Sequence, residues 1–495
     1  MAAEGGRMEN CREGIWKLVG VCLLILTVLG SQGVRAAEPQ PEQPGPPQAK
    51  EEAVPEEKPP EKPPELVPGY IPGGIPSAPY IGWEYAPYYS TTFHPGPTIG
   101  ILAPYGYGAT ADTLIRGWQS HGLGPVRVSP YLEYDGLFRT NVFQTTTDKK
   151  SDYVNTINPG IRFELPVADR SKLSLGYLGE AFIFSRFGEI SHFDQNVNAD
   201  AALNFSELSI KTGTVFRAAT EEPTVMTTPP FTMSRQRFYD RTTPYFQAAY
   251  TMGDRWRAEA NYQFDDLTFA KSIDRQDNYQ YNTFGGTIFY KFLPKTSALL
   301  QYSAVIRTYP FNSPQDSVVH TPVAGLTWDP TAKLSGTVKF GYTISDFDHP
   351  QPGVSKSSVG GFAMSIQTLY NISRYTQLSL VAQRSIMADV DYANQAFYNT
   401  GFLLTLTHYW HYFGITSYAA FSYYNDHYLV NTIDPYTGQT LRRNDNVYSF
   451  GTGLSRPITR WLRVRLDYLY NDRGSNFTNY TYNEHRVILG LQTSF

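Results

Sequence analysis

Apolar and polar side chains alternate along short runs of the chain from residue 125 onward. Between residues 256 and 264, the even positions hold Trp, Ala, Ala, Tyr and Phe, while Arg257, Glu259 and Gln263 lie at odd positions. The runs 334–343 and 462–470 alternate in the same way. A helix would distribute both sets around its axis, whereas a strand places them on opposite faces, so the pattern predicts β-strands.

Turn residues separate these runs by connections of two lengths. Short connections lie at 166–171, 252–255, 293–296, 329–333, 372–375, 411–414 and 456–460, and long ones at 220–242, 265–278, 310–319 and 431–444. If every short connection lies at one end of the sheet, the first strand begins and the last strand ends at that same end. The number of strands is then even. The division predicts about 18 strands, with 16 as the alternative because residues 196–217 are difficult to divide.

The composition of the two faces indicates the surroundings of the sheet. The polar faces carry Arg, Lys and Glu with few large apolar groups, while the apolar faces often end in Tyr, Trp or Phe. A barrel in a membrane turns its apolar face to lipid and its polar face to an aqueous interior. Because an open strand edge in lipid costs several kcal/mol per unpaired amide, the sheet must close. The predicted fold is all-β: a transmembrane antiparallel up-and-down β-barrel over residues 125–495.

Charged and amide side chains on the polar faces are the candidate lumen-lining residues. They are Arg257, Glu259, Gln263, Gln301, Arg307, Lys339, Arg463, Arg465 and Asp467. Facing lipid at the midplane, a charged member of this set would cost about 2–4 kcal/mol, so we expect all to face water. One hypothesis is a mixed-charge wall that pairs internally. The other is a basic track of Arg463 and Arg465 with Lys339 and Arg307 that guides anionic sugars, because rings of Arg and Lys select anions.

The first 124 residues differ from the barrel and divide into three segments. Residues 1–36 carry basic residues, an apolar run of about a dozen residues and a Val-Arg-Ala end, which predicts a cleaved signal peptide. Residues 37–68 are rich in Pro and Glu and predict a disordered linker. Residues 69–124, rich in Gly, Pro and aromatics, could enter the barrel as a partial plug or lie beneath it.

Composition narrows the chemistry of the chain. The formal net charge of −4 gives no reason to expect a nucleic-acid partner. The two cysteines, Cys11 and Cys22, both lie in the predicted signal peptide, so the mature chain is expected to have no disulfide and no Cys nucleophile. His408 and His411 lie among aromatics at a strand end and are expected to be interfacial rather than metal ligands. We therefore predict no catalytic residues, no cofactor and no metal.

The last strand resembles the C-terminal signal by which outer-membrane barrels are recognised for assembly. Gly490 and the terminal Phe495 match that signal, and Thr493 departs from it because an aromatic or large apolar residue is usual there. The resemblance implies that the barrel assembly machinery is a partner of this chain.

Residues 124–495 resemble a family of β-barrel porins of Gram-negative bacteria that is often linked to exopolysaccharide gene clusters. The residues that carry this resemblance are Ser129-Pro130, Glu133-Tyr134-Asp135, Asn141-Val142-Phe143, Ser151-Asp152-Tyr153, Pro159-Gly160 and Arg162-Phe163-Glu164, with the turns at 292–298 and 456–461. The resemblance implies an outer-membrane barrel more directly than it implies a cargo.

Three functions are compatible with these features. The favoured one is a passive porin-like channel for polar solutes, or an export channel for polysaccharide, in the bacterial outer membrane, with its N-terminal tail and C-terminus in the periplasm. The first alternative is a non-catalytic scaffold or sheath, including an electron-conduit sheath, whose Pro-rich tail reaches a periplasmic or cell-wall partner. The second is an outer-membrane hydrolase that uses a Ser and a His on the barrel wall.

Overall fold

The computed structural model describes residues 121–168, 171–221, 236–328, 333–349, 357–388, 396–434, 437–459, 461–477 and 480–494. The predicted signal peptide, the linker, nearly all of segment 69–124 and Phe495 lie outside the described residues. No helix among the described residues is long and apolar enough to cross a membrane.

Antiparallel strands make up almost the whole of the described chain. They are β1 (His121–Leu123), β2 (Val126–Arg139), β3 (Asp152–Ala168), β4 (Ser171–Phe184), β5 (His192–Asn204), β6 (Leu208–Glu221), β7 (Arg237–Met252), β8 (Trp256–Phe269), β9 (Tyr279–Leu293), β10 (Thr296–Thr308), β11 (Ser317–Trp328), β12 (Leu334–Phe347), β13 (Ser358–Ser373), β14 (Thr376–Ala388), β15 (Ala396–Trp410), β16 (Ile415–Ile433), β17 (Thr440–Pro457), β18 (Leu462–Ser475) and β19 (Tyr482–Ser494).

Each strand pairs with its neighbours in sequence, and the last pairs with the first. The ladder between β19 and β2 joins Arg486 to Arg139 at one end and Ser494 to Tyr131 at the other. Strands β2 to β19 thereby form a closed barrel of 18 strands, while β1 adds a short hairpin to β2. The prediction of an all-β antiparallel barrel with 18 strands is confirmed, and the alternative of 16 is wrong.

Short turns and long connections lie at opposite ends of the barrel. The turns between β7 and β8 and between β15 and β16 each contain a glycine with positive φ, Gly253 and Gly414, both at 62°. Only glycine adopts that backbone conformation at little cost, so these residues shape the two turns. The opposite end carries the long connections, which include the short 3₁₀ turns Gly188–Ile190, Ser272–Asp277 and Ser313–Gln315.

The structure divides the segment 196–217 and places the ends of two strands differently from the sequence pattern. The segment that was difficult to divide contains a turn at residues 205–207, between β5 and β6. The strands also continue into the predicted long connections: β8 includes Asp265 to Phe269, and β16 reaches Ile433. In the extension of β8, the apolar Leu267 and Phe269 are buried on the inner face, whereas Thr268 is exposed on the outer face. The apolar and polar positions are therefore exchanged relative to the membrane-facing part of the strand.

Apolar side chains cover the outside of the barrel, while the inside holds polar and charged side chains together with buried apolar clusters that include Leu137, Phe182 and Ile488. Exposed large residues on the outer face include Trp256, Ile288, Tyr302, Phe340 and Leu489. On β8, exposure alternates between the outward set and an inward set that contains Gln263 and Asp265. The barrel is therefore inverted relative to a water-soluble one, as expected for a sheet whose solvent is lipid.

Aromatic pairs form belts near both rims of the outer face. Trp256 packs on Tyr290 near the short turns, with ring centroids 4.7 Å apart. Near the other rim, Tyr423 packs on Tyr448 at 5.0 Å, and Tyr470 packs on His485 at 4.8 Å. Aromatic belts of this kind mark the two membrane–water interfaces of barrels in outer membranes.

Candidate functional site: the barrel interior

The barrel interior contains the nine candidate lumen-lining residues predicted from sequence. Three lie on β8, two on β10, one on β12 and three on β18, and in each strand they share the inward face. Gln263, Gln301 and Arg307 are almost fully buried. Arg257 and Glu259 form an ion pair with a 2.6 Å contact, and the Arg257 guanidinium lies 4.3 Å from the centroid of the Phe289 ring.

Three strands meet around one buried arginine where the barrel closes. Arg465 of β18 contacts Glu133 of β2 at 3.0 Å, Asp135 of β2 at 2.6 Å and Asp467 of its own strand at 3.0 Å. Gln492 of β19 donates to Glu133 at 2.8 Å. We call these five residues the closure network. It joins the first and last strands of the barrel through side chains, in addition to the backbone ladder.

Gly490 makes the closure network possible. It lies between Asp135 on β2 and Arg465 on β18 in the strand registers. A Cβ atom at this position would lie 2.4 Å from Arg465 Nε and 2.5 Å from Asp135 Oδ1. Because glycine has no side chain, the space through which the guanidinium of Arg465 crosses β19 to reach β2 stays unobstructed. Recognition of Gly490 and Phe495 by assembly machinery stays a prediction.

Replacing Gly490 by alanine tests this packing role apart from assembly in a cell. We expect Gly490→Ala to displace Arg465 and to lower the free energy of unfolding by about 1–3 kcal/mol, the usual cost of forcing an atom into filled space. The measurement is urea unfolding of protein refolded into detergent micelles, where no assembly machinery is present. An unchanged midpoint would leave recognition during assembly as the reason for the glycine.

Further ion pairs extend the closure network toward the long connections. Arg139 of β2 contacts Glu484 of β19 at 2.6 Å, and Glu484 also contacts Arg486 at 2.7 Å. Asp445 of β17 pairs with Arg443 on its own strand at 2.7 Å and with Arg473 of β18. These side chains are all nearly inaccessible. On the wall from β17 through β19 to β2, these acids and bases thus neutralise one another beside the buried apolar side chains of Leu137, Leu469 and Ile488.

A second group of ion pairs lies on the wall formed by β4 to β8. Arg241 of β7 donates two hydrogen bonds to Asp265 of β8, at 2.7 and 2.6 Å. Arg237 pairs with Asp274 and Asp277 of the connection between β8 and β9. A bidentate guanidinium–carboxylate contact fixes both side chains more strongly than a single hydrogen bond does. These pairs hold the long-connection end of the wall.

The remaining wall, from β10 to β15, differs chemically. Among the described residues of its six strands, Asp346 is the one acid, and it points outward. Its inward charges are the cations Arg307 and Lys339, and its other inward polar groups are hydroxyls and amides. We use the name hydroxyl wall for the following inward hydroxyl and amide side chains: Gln301, Ser303, Ser317, Thr321, Thr327, Ser335, Thr337, Thr343, Ser345, Ser365, Gln367, Ser379, Gln383, Asn399, Thr405 and Thr407.

Several polar atoms of the interior have no protein partner among the described residues. They include the hydroxyls of Ser303, Ser317 and Ser345 and the amide oxygens of Gln263 and Gln301. A buried polar atom without a hydrogen bond costs about 1–3 kcal/mol, so such atoms normally bind water or a polar ligand. The interior is therefore chemically suited to water and to uncharged polar molecules.

Sequence reasoning found the strands that carry the interior charges but missed most of their partners. Glu133, Asp135, Asp265, Asp445 and Glu484 were not among the predicted residues. The signal was present for Glu133 and Asp135, because acids two residues apart on a strand share one face. Arg465 is not an isolated cation of a basic track, since three carboxylates surround it. Guidance of anions by Arg307, Lys339 and Arg463 stays a prediction.

The two histidines considered as metal ligands have separate partners. His408 Nδ1 lies 2.8 Å from Thr376 Oγ1, and His411 stacks on Tyr375 with ring centroids 4.9 Å apart. The part of the chain that the structure describes contains no group of three or more His, Cys, Asp or Glu residues that could hold a metal ion.

Comparisons with known proteins found one matching family model and several solved structures with similarity to this chain. The family model described as "Putative beta-barrel porin 2" matches residues 122–495. Solved structures with similarity include the outer membrane protein OpdK of Pseudomonas aeruginosa, with 11% identity over 74% of this chain and 99% of that chain and a TM-score of 0.40. OpdQ of the same organism has 14% identity over 75% and 98% of the two chains, also with a TM-score of 0.40. OccAB4 of Acinetobacter baumannii has 10% identity over 74% and 98%, again with 0.40. A search of curated proteins found no match.

Proposed function

Because the chain belongs to this β-barrel porin family of the bacterial outer membrane, we propose that it conducts uncharged polar solutes, saccharide chains among them, through a hydrated lumen. The hydroxyl wall carries this proposal. Saccharides present many hydroxyls and no charge, and the hydroxyl wall offers matching donors and acceptors on six adjacent strands. The direction of transport follows the concentration gradient, because a passive channel has no energy source.

Charge distribution supports uncharged cargo over strongly charged cargo. On the wall from β17 through β19 to β2, acids and bases contact one another: Arg465 is enclosed by three carboxylates, and Asp445 by two arginines. Paired charges of this kind attract a passing ion far less than isolated rings of one sign do. When a neutral solute enters the lumen, it loses hydrogen bonds to water and must replace them with hydrogen bonds to the wall. The unpartnered amide and hydroxyl groups of the interior can supply these.

The orientation of the barrel in the membrane follows the asymmetry of its connections. Outer-membrane barrels have short periplasmic turns and longer outer loops. We therefore propose that the end with the turns at Gly253 and Gly414 faces the periplasm, together with the ends of β2 and β19. A signal peptide at residues 1–36 is part of the same proposal, since export must precede insertion.

Reconstitution of the chain without residues 1–36 tests the channel directly. We expect discrete single-channel conductance in planar bilayers and swelling of proteoliposomes in an isosmotic uncharged trisaccharide. An anionic solute of the same size is expected to enter more slowly. Absence of both conductance and swelling, with the barrel folded by circular dichroism, would contradict the channel.

One glutamine of the hydroxyl wall gives a sharper test of cargo. Gln301 faces inward on β10, and its side-chain oxygen has no partner among the described residues. We expect Gln301→Leu to slow trisaccharide entry about fivefold, equivalent to the roughly 1 kcal/mol that one hydrogen bond contributes. The matched control is Tyr302→Phe, the outward neighbour, which should leave entry unchanged. Equal rates in both variants would remove the hydroxyl wall from the proposal.

A further inference from the structure

The ladder between β13 and β14 ends before either strand does. Its last pair toward the long connections is Met364 with Arg384. Beyond that pair, β13 continues to Ser358 and stays paired with β12, while β14 continues to Ala388 and stays paired with β15. The backbone of the wall is therefore split here. We call the region between residues 358–363 and residues 385–388 the β13–β14 seam.

At the seam, β14 and β15 lie behind β13 rather than beside it. Ile386 and Tyr398 alternate with the inward residues Met387 and Asn399, so both belong to the outer face of β14 and β15. Ile386 is nevertheless only 1% exposed. The Tyr398 ring meets the inner side of β13, because a Cβ built on Gly361 would lie 2.5 Å from Tyr398 Cε1. Two layers of the wall thus overlap face to face.

Side chains rather than backbone pairs close the overlap. The inward residues Phe347 and Val359 pack against Ile386, Ala396 and Leu429. Tyr398 donates a hydrogen bond from its hydroxyl to the carbonyl oxygen of Gly360 at 2.7 Å. Apolar contacts and one hydroxyl hydrogen bond hold the two strands together less firmly than the backbone hydrogen bonds of a continuous antiparallel ladder do. The seam is the part of this wall that can open without breaking backbone hydrogen bonds between strands.

The seam joins two different surroundings. On its outer side, Tyr342 and Phe362 are each 49% exposed, so this level still belongs to the apolar belt that faces lipid. On its inner side, Ser365 and Gln383 pair across the ladder next to the seam and form part of the hydroxyl wall. A molecule lying across the seam would therefore place one end among acyl chains and the other among uncharged hydrogen-bonding groups.

From this juxtaposition we propose that the β13–β14 seam is a lateral portal for an amphiphile with an acyl chain and an uncharged, hydroxyl-rich head. The head binds the hydroxyl wall, and the chain passes between Val359 and Ile386 into the outer leaflet. This activity goes beyond conduction of soluble saccharides along the barrel axis. It requires the overlap to separate, with Tyr398 releasing Gly360, while the ladder from Met364 to Ser373 stays intact.

Photolabelling combined with a reversible lock tests the portal. The probe is an alkyl maltoside with a diazirine at the end of its chain, added to proteoliposomes of the barrel without residues 1–36. Ala363 and Ser385 are the first residues of the two strands beyond the last ladder pair, so the lock is the double variant Ala363→Cys and Ser385→Cys. The matched control lock is Thr368→Cys with Leu380→Cys, a pair within the ladder that lies outside the hydroxyl wall.

We expect the probe to label Val359 and Ile386, which are both shielded from bulk lipid when the seam is closed. Oxidation of the seam lock should reduce this labelling about tenfold by removing the open state, and a reductant should restore it. After oxidation of the control lock, the labelling of Val359 and Ile386 should equal that in the parent barrel. If the overlapped strands hold the two sulfur atoms too far apart for the seam disulfide to form, labelling of Val359 and Ile386 in the parent barrel decides the proposal.

Absence of label on Val359 and Ile386 in the parent barrel would overturn the portal, as would labelling that the formed seam disulfide leaves unchanged. Trisaccharide entry measured in the same vesicles reports on the axial channel separately. No entry together with lock-sensitive labelling would contradict the channel and support the portal. Entry without labelling would do the reverse.

Discussion

Replacing Arg465 with glutamine is expected to lower the free energy of unfolding by about 3–5 kcal/mol, because it leaves three buried carboxylates without their counter-charge. Glu133 and Asp135 are almost inaccessible, and Asp467 is only 6% exposed, so water cannot fully replace the guanidinium. The expected result is a lower urea midpoint in detergent micelles and loss of the compact band in unheated SDS gels. Both measurements report closure of the barrel.

Two further variants make this expectation specific to the closure network. Arg127→Gln removes an exposed arginine from β2 and should change the free energy of unfolding by less than about 0.5 kcal/mol. Adding Asp135→Asn to Arg465→Gln should recover part of the loss, because it removes one of the uncompensated acids. If Arg465→Gln unfolds like the parent barrel, the network does not contribute to closure.

Replacing Gly336 with alanine is expected to lower the free energy of unfolding by about 3 kcal/mol, from backbone strain and a backbone clash together. Gly336 has φ of 130°, a conformation that residues with a side chain rarely adopt. A Cβ there would lie 2.0 Å from the carbonyl oxygen of Gln367 on β13. Because that oxygen belongs to backbone held in the sheet, it cannot move aside as a side chain could.

Gly474→Ala is the matched control for Gly336→Ala. Gly474 also lies within a strand, β18, but a Cβ atom added there would have no neighbouring atom within 4 Å, and its φ is not positive. Its replacement should stay within about 0.5 kcal/mol of the parent. Urea unfolding of both variants, followed by tryptophan fluorescence, compares them on one scale. Equal midpoints would show that β12 relaxes around the added methyl group.

Alternation along single strands was sufficient to predict most of the barrel. A period of two residues is a local property, so the outward Trp256 and the inward Gln263 could be assigned without knowing their neighbours. The turns were equally local, since Gly253 and Gly414 supply the conformation that a tight connection needs. Strand number followed once each short connection was assigned to the same end of the sheet.

The partners of the interior charges could not be predicted in the same way. Arg465 and Asp135 are 330 residues apart, and their contact depends on the registers of β18, β19 and β2 together. Alternation identifies the face of each residue but not its height in the wall. The β13–β14 seam was also beyond prediction, because Ile386 and Tyr398 alternate like ordinary lipid-facing residues and are buried only by the overlap with β13.

Gly490 also limits how the cylinder can be assembled. A slip of one residue between β19 and its neighbours would turn apolar side chains inward, so only slips by even numbers preserve the two faces. A slip by two would bring Ile488 or Gln492 to the place of Gly490, and either side chain would obstruct the crossing between Asp135 and Arg465. The absence of a side chain at residue 490 therefore favours the correct register of β19. In a register shifted by two residues, Arg465 could not reach Asp135, and the buried charges would stay unpaired.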